Sequence, residues 1–192
     1  MTIYFASSSK KKKENYLHRL PDTSIEHLPI DFNEGRSMNI SEITQTKLTQ
    51  AREAFSHTSH IVVEDTGFFI PELHGFPGPF VKLCLNTIGI DGLLTLMQDK
   101  TDRTAIFRTV LGYFDGKQEY FFTYDEKGFL LHKKDGSDLK GWTEILTIYG
   151  HRPFYDKRLS QLSTDEYERY LHIIESEDCI AQFSQFLSHH IS

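Results

Sequence analysis

The acids Glu64 and Asp65 follow an apolar run near the middle of the chain. Neighbouring residues of an extended strand point to opposite faces, so we expect only one of these carboxylates to face a cleft. There it could bind Mg²⁺, which prefers carboxylates, waters and substrate phosphates. Thr66 can add a hydroxyl group, and Gly67 permits a close approach of the backbone. An acidic surface turn is the commoner explanation of these four residues taken alone.

A segment rich in serine and lysine, SSSKKKKE at positions 7–14, directly follows the first apolar stretch. The N-terminus of a helix is the positive end of its dipole, so four lysines there are unfavourable unless an anion binds. Serine hydroxyls, free backbone N–H groups and lysines could together bind a phosphate. A solvated charge run is the commoner explanation of a lysine tract by itself. The position of the tract directly after a buried strand makes phosphate binding a stronger competitor to that explanation.

The loop HGFPGPF, at positions 74–80, contains two prolines and two glycines that restrict its path. Such a stiff loop could hold the ammonium group of Lys82 over a ligand, or it could be a tightly packed structural loop. Trp142, the single tryptophan, could stack on a base, although a core or edge tryptophan is commoner. Standard phosphate-loop, dinucleotide, nucleophile-elbow and zinc-protease motifs are absent.

Strands and helices alternate in the first half of the sequence. TIYFA predicts a buried strand, and the serines after it can cap a helix that has Tyr16 among its inward positions. A second helix is expected over residues 41–55, a buried strand at HIVVE, and a short helix over residues 89–97. These elements must position the acids, the serines and the lysines.

The second half of the sequence begins with three β-rich segments and ends in helices. The pair Asp115–Gly116 and the segment DEKG at positions 125–128 are turn signals, which together predict a β-meander or a pair of hairpins. The last third predicts two helices, with Ser176 as the cap of the terminal one.

Bulk composition is ordinary for a soluble globular protein. The 192 residues, with 39% hydrophobic and 25% charged, predict one domain over residues 1–192. A formal net charge of −6 argues against general binding to nucleic acid or anionic membranes. Two cysteines without metal-type spacing suit a reducing compartment. No signal peptide or transmembrane run is found, so we expect a cytoplasmic protein.

Three blocks of the sequence together resemble the inosine triphosphate pyrophosphatases, also called Ham-type nucleotide house-cleaning enzymes. They are FASSSKKKKE, VVEDTGFFIPELHGFPGPFVK and the later pair GW, in this order and spacing. The resemblance extends from Thr2 to about Trp142. It implies an elongated α/β fold with a mixed β-sheet flanked by helices, two lobes and a central cleft, usually as a homodimer. It also implies Mg²⁺-dependent hydrolysis of deaminated purine triphosphates to the monophosphate and pyrophosphate.

The resemblance also implies roles for individual residues. Asp65 matches the central metal-binding and catalytic aspartate, and Glu34 matches an acidic metal ligand. The positions that correspond to substrate-binding residues are Ser7, Ser8 and Ser9 in the family's T-G-N turn, the phosphate-binding Lys12, Thr66, Lys82 after the proline-glycine loop, the aromatic Trp142 and His172.

The positions that recognise the base depart from the family pattern. Thr143 replaces an aspartate, Tyr167 replaces a lysine, and Ile173 replaces the arginine after His172. A site that loses hydrogen-bonding contacts to the base loses discrimination steeply. The phosphate half of the site is therefore expected to be kept and the base half to be altered.

The sequence predicts a Mg²⁺-dependent nucleoside triphosphate pyrophosphatase that acts on noncanonical purine nucleotides such as ITP, dITP or XTP. Two alternatives stay open: a catalytically weak nucleotide-binding or regulatory protein of the same fold, and a pyrophosphatase for a different modified nucleotide. The expected partners are the nucleotide and a second copy of the chain, with no nucleic acid and no membrane.

Overall fold

The computed structural model describes residues 1–33, 35–134, 146–148 and 157–190. Three positions singled out by the sequence, Glu34, Trp142 and Thr143, lie outside these residues. The described strands are β1 Thr2–Ala6, β2 Ser24–Leu28, β3 Ile61–Phe69, β4 Pro77–Gly78, β5 Thr104–Phe114, β6 Glu119–Leu130 and β7 Leu146–Ile148. The described α-helices are α1 Lys10–Arg19, α2 Ile40–Ala54, α3 Val81–Thr87, α4 Gly89–Leu96, α5 Thr164–Glu177 and α6 Cys179–His190.

The strands form one mixed sheet in the order β2-β1-β3-β5-β6-β7, and β4 pairs with β3. Strand β1 is parallel to both β2 and β3. The pairs β3–β4 and β6–β7 are antiparallel. The predicted mixed α/β class is therefore confirmed. Within the described ranges, no helix is both long enough and apolar enough to cross a bilayer.

Contacts within the chain define two compact units, and each is described by itself. Unit 1 contains Met1–Thr66, Thr109–Tyr124 and Glu177–Ser192, and unit 2 contains Gly67–Arg108 and Asp125–Ser176.

In unit 1, alternate residues of β3 belong to two different hydrophobic clusters. Val62 packs in a cluster that includes residues of α1 and α6, whereas Ile61 and Val63 pack in one that includes residues of α2. This is the period of two expected for a strand buried on both faces. The two faces are therefore covered by different helices.

In unit 2, one hydrophobic cluster joins strands β3, β5 and β6 to helices α3, α4 and α5. Its fully buried members include Phe68, Ile70, Leu93 and Met97. The buried Arg103 side chain donates to the carbonyl oxygens of Met97, Leu130 and Leu131 at 2.7–2.8 Å. A buried guanidinium is thus satisfied by backbone acceptors.

The helix ends agree with the sequence at α1 but not at α6. Ser9 caps α1, because its side chain accepts a hydrogen bond from the backbone N–H of Lys12. The prediction that Ser176 caps the terminal helix is wrong. Asp178 takes that position and accepts from the N–H groups of Ile180 and Ala181, whereas the Ser176 hydroxyl donates to a carbonyl in the preceding helix.

The predicted turn at Asp115–Gly116 is confirmed, and the one at residues 125–128 is wrong. At the first, the Asp115 carboxylate accepts from the N–H groups of Lys117 and Gln118, and Gly116 has a φ of 98°. Residues 125–128 instead continue β6 as far as Leu130. The position of β6 between β5 and β7 in the sheet thus overrides a weak local turn preference.

Candidate functional site

The carboxylates of Glu64 and Asp65, near the end of the unit 1 part of β3, make separate contacts on its two faces. Glu64 contacts side chains of α1, and Asp65 contacts a side chain of α2. This continues the alternation that begins at Val62 and Val63. The expectation that the two acids do not aim at one spot is therefore confirmed.

Glu64 binds Lys12 and Tyr16, which lie one helical turn apart on α1. The Lys12 Nζ atom is 3.0 Å from Glu64 Oε1 and also donates to the Glu64 backbone oxygen at 3.4 Å. The Tyr16 hydroxyl donates to Glu64 Oε2 at 2.7 Å. Each oxygen of this carboxylate therefore has its own donor from α1.

Tyr16 remains protonated and acts as a hydrogen-bond donor. Burial, followed by the charge of Glu64, holds the pKa of the Tyr16 hydroxyl well above its ordinary value. Its ring packs on that of Phe5, with centroids 4.5 Å apart. The sequence predicted Tyr16 only as an inward position of the helix. Its polar end was missed, because that contact joins residues 48 positions apart.

The serine turn before α1 is held by short contacts within unit 1. The Ser9 N–H donates to Ser7 Oγ at 3.0 Å, and the Ser7 N–H donates to the carbonyl of Leu28 at 3.1 Å. His27 Nε2 lies 2.6 Å from the Ser7 carbonyl oxygen. Ser8, between them, is exposed. This turn therefore fixes the chain that leads into the N-terminus of α1.

Asp65 pairs with Lys47, a residue that the sequence analysis did not single out. The Lys47 Nζ atom is 3.1 Å from Asp65 Oδ1, and the two side chains are only 7% and 17% exposed. Lys47 Nζ also lies 5.6 Å from the centre of the Phe32 ring. A pair this well buried holds the carboxylate in one orientation.

A signal for Lys47 was present in the sequence. Lys47 follows Thr44 and precedes Leu48 and Ala51 on the buried stripe of α2. A lysine on such a stripe is rarely buried unless it is paired. That spacing could have predicted an acidic partner for Lys47 but not which acid.

Thr66 follows Asp65 and contacts the neighbouring strand. Its Oγ1 atom lies 3.1 Å from Oγ1 of Thr109 on β5. Cys179 also contacts Thr109, because its thiol donates to the Thr109 carbonyl at 3.2 Å. Burial raises the pKa of that thiol to about 12, which makes Cys179 a structural and not a nucleophilic cysteine.

Unit 2 contains the other described residues that the sequence singled out. Lys82 is exposed and lies in the first turn of α3, just after the loop at positions 74–80, as expected. His172 is exposed on α5 and lines a cavity of about 460 Å³ together with Ile173. Tyr167, on the same helix, is 36% exposed.

Gly67, the first residue of unit 2, is confirmed as a position of close backbone approach. A Cβ atom there would lie 2.7 Å from the Phe69 ring and 3.0 Å from the carbonyl oxygen of Gly78. Only glycine therefore lets β4 approach β3 this closely.

Comparisons with known proteins agree on one family. A model described as the Ham1 family matches residues 3–175. The chain is 31% identical over 163 residues to the dITP/XTP pyrophosphatase of Saccharolobus solfataricus, covering 85% of this chain and 80% of that protein. It is 32% identical to the dITP/XTP pyrophosphatase of Thermococcus kodakarensis, and the match covers 90% of this chain and 91% of that protein. The structure of a HAM1 protein from Coxiella burnetii superposes with a TM-score of 0.76 at 19% identity, and the superposition covers 98% of this chain and 99% of that one.

Proposed function

Because the chain belongs to the Ham1 family, we propose that it is a nucleoside triphosphate pyrophosphatase, which hydrolyses its substrate to the monophosphate and pyrophosphate. The family model spans most of the chain, and curated relatives similar along most of their length are named dITP/XTP pyrophosphatases. The observation that carries the proposal is in the middle of β3, where two adjacent acids are each paired with a lysine from a different helix.

The proposed phosphate site is the N-terminus of α1. The first N–H groups of a helix have no partner within it and attract anions. The hydroxyls of Ser7, Ser8 and Ser9 can supplement them, and Lys12 adds a positive charge in the same first turn. In the family these serines stand where a threonine, a glycine and an asparagine are found. The hydroxyls can still donate to phosphate oxygens.

The proposed metal site centres on Asp65, with Glu34 as a second ligand carried over from the resemblance. In the described part of the chain, no group of three or more His, Cys, Asp or Glu side chains could hold a metal ion. A single carboxylate still fits Mg²⁺, which takes one or two carboxylates and completes its shell with waters and substrate phosphates. When bound, a divalent cation neutralises phosphate charge and polarises the anhydride.

The residues of the chain would then act as follows. Lys47 holds Asp65 in one orientation, so that the carboxylate can hold the metal or orient the attacking water. Lys12 and Lys82 stabilise negative charge on the phosphates, and Thr66 contacts the substrate. Water forms the new P–O bond as the α–β anhydride bond breaks, and preorganised charges lower that barrier most effectively.

We propose that the enzyme prefers nucleotides with deaminated purine bases, because the relatives are named for dITP and XTP. The substitutions at Thr143, Tyr167 and Ile173 favour a second candidate, a pyrophosphatase for another modified nucleotide. Trp142 and His172 are the proposed contacts that remain. An isoleucine cannot donate the hydrogen bonds that an arginine provides, so base discrimination depends on these remaining groups.

The test is a panel of nucleoside triphosphates, including ITP, dITP, XTP and modified pyrimidine nucleotides, assayed for pyrophosphate release with and without Mg²⁺. Release from ITP or XTP that requires Mg²⁺ and disappears in Asp65→Asn supports the proposal. Nucleotide binding without turnover of any panel member would support the regulatory alternative. Activity retained in Asp65→Asn would refute the role of that residue.

A homodimer and a cytoplasmic location are also proposed from the resemblance and from the composition. Sedimentation equilibrium of the full chain tests the first, and a monomer at micromolar concentration would refute it. Cell fractionation tests the second.

A further inference from the structure

The Tyr16 hydroxyl and the Lys12 ammonium group are linked through a shared partner, Glu64. Both bind the Glu64 carboxylate, Tyr16 through Oε2 and Lys12 through Oε1. We propose that Tyr16 is a positioning residue, which acts through Glu64 to aim the Lys12 ammonium group at a substrate phosphate. This inference rests on the proposed function of Lys12 as a phosphate-binding residue.

The first step is the orientation of the carboxylate. A carboxylate bound through one oxygen can still rotate about its last bond. The Tyr16 donor at 2.7 Å engages the second oxygen, and Tyr16 is itself only 1% exposed and packed against Phe5. The Glu64 side chain is therefore held from a rigid part of the core.

The second step is the orientation of the ammonium group. An ammonium group has three N–H bonds in tetrahedral directions. Lys12 directs one at Glu64 Oε1 and a second at the Glu64 backbone oxygen. With two directions taken, the third N–H has a defined direction. The Lys12 side chain is 34% exposed, so this third donor can reach a bound phosphate.

The alternative is that Tyr16 only stabilises the core. It is a buried tyrosine in the same hydrophobic cluster as Tyr113. Tyr113 is a matched control, because it is also fully buried and its hydroxyl bonds His60 Nδ1 at 2.7 Å. Both Tyr→Phe variants remove one buried hydroxyl from the same cluster, but only one of these hydroxyls bonds Glu64.

The first measurement is steady-state kinetics with the preferred triphosphate. We expect Tyr16→Phe to raise KM about three- to tenfold with kcat changed less than about twofold, since a lost hydrogen bond to a binding group weakens ground and transition states equally. Tyr113→Phe should leave both constants unchanged. If Tyr16→Phe shifts only the melting temperature, as Tyr113→Phe would, the inference is overturned.

The second measurement is a double-mutant cycle with Glu64→Ala. If Tyr16 acts through Glu64, then Tyr16→Phe should change KM little once Glu64 is already alanine. An undiminished effect in the Glu64→Ala background would show that Tyr16 acts by another route, and it would overturn the inference.

The third measurement does not depend on catalysis. Lys12 in wild-type and variant proteins is acylated with limiting acetic anhydride and quantified by mass spectrometry, with the exposed Lys117 as internal reference. The Lys12 amine should react several-fold faster in Glu64→Ala, which removes its ion pair, and also faster in Tyr16→Phe, where Glu64 is held less firmly, but not in Tyr113→Phe. Unchanged Lys12 reactivity in Tyr16→Phe would refute the inference. Absence of nucleotide turnover by wild-type protein would instead refute the proposed function.

Discussion

The two faces of β3 carry ion pairs of nearly equal length in different surroundings. Lys12 and Glu64 are 3.0 Å apart and Lys47 and Asp65 are 3.1 Å apart, yet the lysine side chains are 34% and 7% exposed. A partly exposed ammonium group can contact a ligand while it keeps its partner, whereas a buried one cannot reach a ligand without large cost. This difference in exposure indicates that the pair with Lys12 is suited to binding a ligand and the pair with Lys47 to holding a carboxylate in place.

The largest expected effect is that of breaking the buried pair. Lys47→Met leaves Asp65 without this partner, so we expect the free energy of unfolding to fall by about 3 kcal/mol or more. Urea denaturation of wild-type and variant proteins measures this change in the free energy of unfolding. The matched variant Lys12→Met should cost less than about 1 kcal/mol, because its pair is more exposed. Equal losses in the two variants would contradict the distinction between the faces.

A carboxyl group in unit 2, that of Glu126, offers a second case for comparison with Glu64. Glu126 accepts a hydrogen bond from the Tyr170 hydroxyl, as Glu64 does from Tyr16. Burial raises the pKa of Glu126 from 4.5 to about 7. The native state then binds more protons than the unfolded state between these pH values, so stability should fall as pH rises from about 4.5 through 7.

The full effect is about 3 kcal/mol, since each unit of the shift from 4.5 to about 7 corresponds to about 1.4 kcal/mol. Urea denaturation at pH 5 and pH 8 should show the loss in wild-type protein. The variant Glu126→Gln mimics the neutral acid and should lose less stability over that interval. The same pH dependence in both proteins would contradict the assignment to Glu126.

Removing the partly exposed Lys12 should affect binding more than folding. We expect Lys12→Met to raise KM for the triphosphate about tenfold or more, because a charge-assisted hydrogen bond to phosphate is lost. Lys117→Met, at an exposed position, is the control. An unchanged KM in Lys12→Met would remove Lys12 from the proposed phosphate site.

The smallest expected effect is that of Thr109→Val, which removes the hydroxyl that lies 3.1 Å from Thr66 Oγ1. The side chain keeps its shape, so stability should change by about 1 kcal/mol at most. If the Thr109 hydroxyl orients Thr66 towards the substrate, kcat/KM should fall about two- to fivefold. An unchanged kcat/KM would leave the contact with a structural role only.

Local pattern was sufficient for several features of the site. The period of two along a strand correctly placed Glu64 and Asp65 on opposite faces. The serines after the first strand correctly predicted the cap of α1. These features depend on neighbours within a few residues, and the chemistry of those neighbours is visible in the sequence.

Features that depend on long-range pairing were missed or wrong. Strand β2 was not predicted, although it pairs with β1 along its whole length. The turn assigned to residues 125–128 is part of β6. Lys82 lies in a helix, α3, that the sequence analysis did not predict. In each case the local preference is weak, and pairing or packing with distant residues decides the conformation.

The sequence by itself therefore determined the family, the mixed α/β class and the alternation that separates the two acids. Only the tertiary structure decided their partners, because contact with Lys12, Tyr16 or Lys47 depends on which helix packs on which face of β3. Helix packing is set by the summed burial of many apolar side chains, and no single motif encodes it. The same packing buries Lys47 and leaves Lys12 partly exposed, and that difference separates the two lysines.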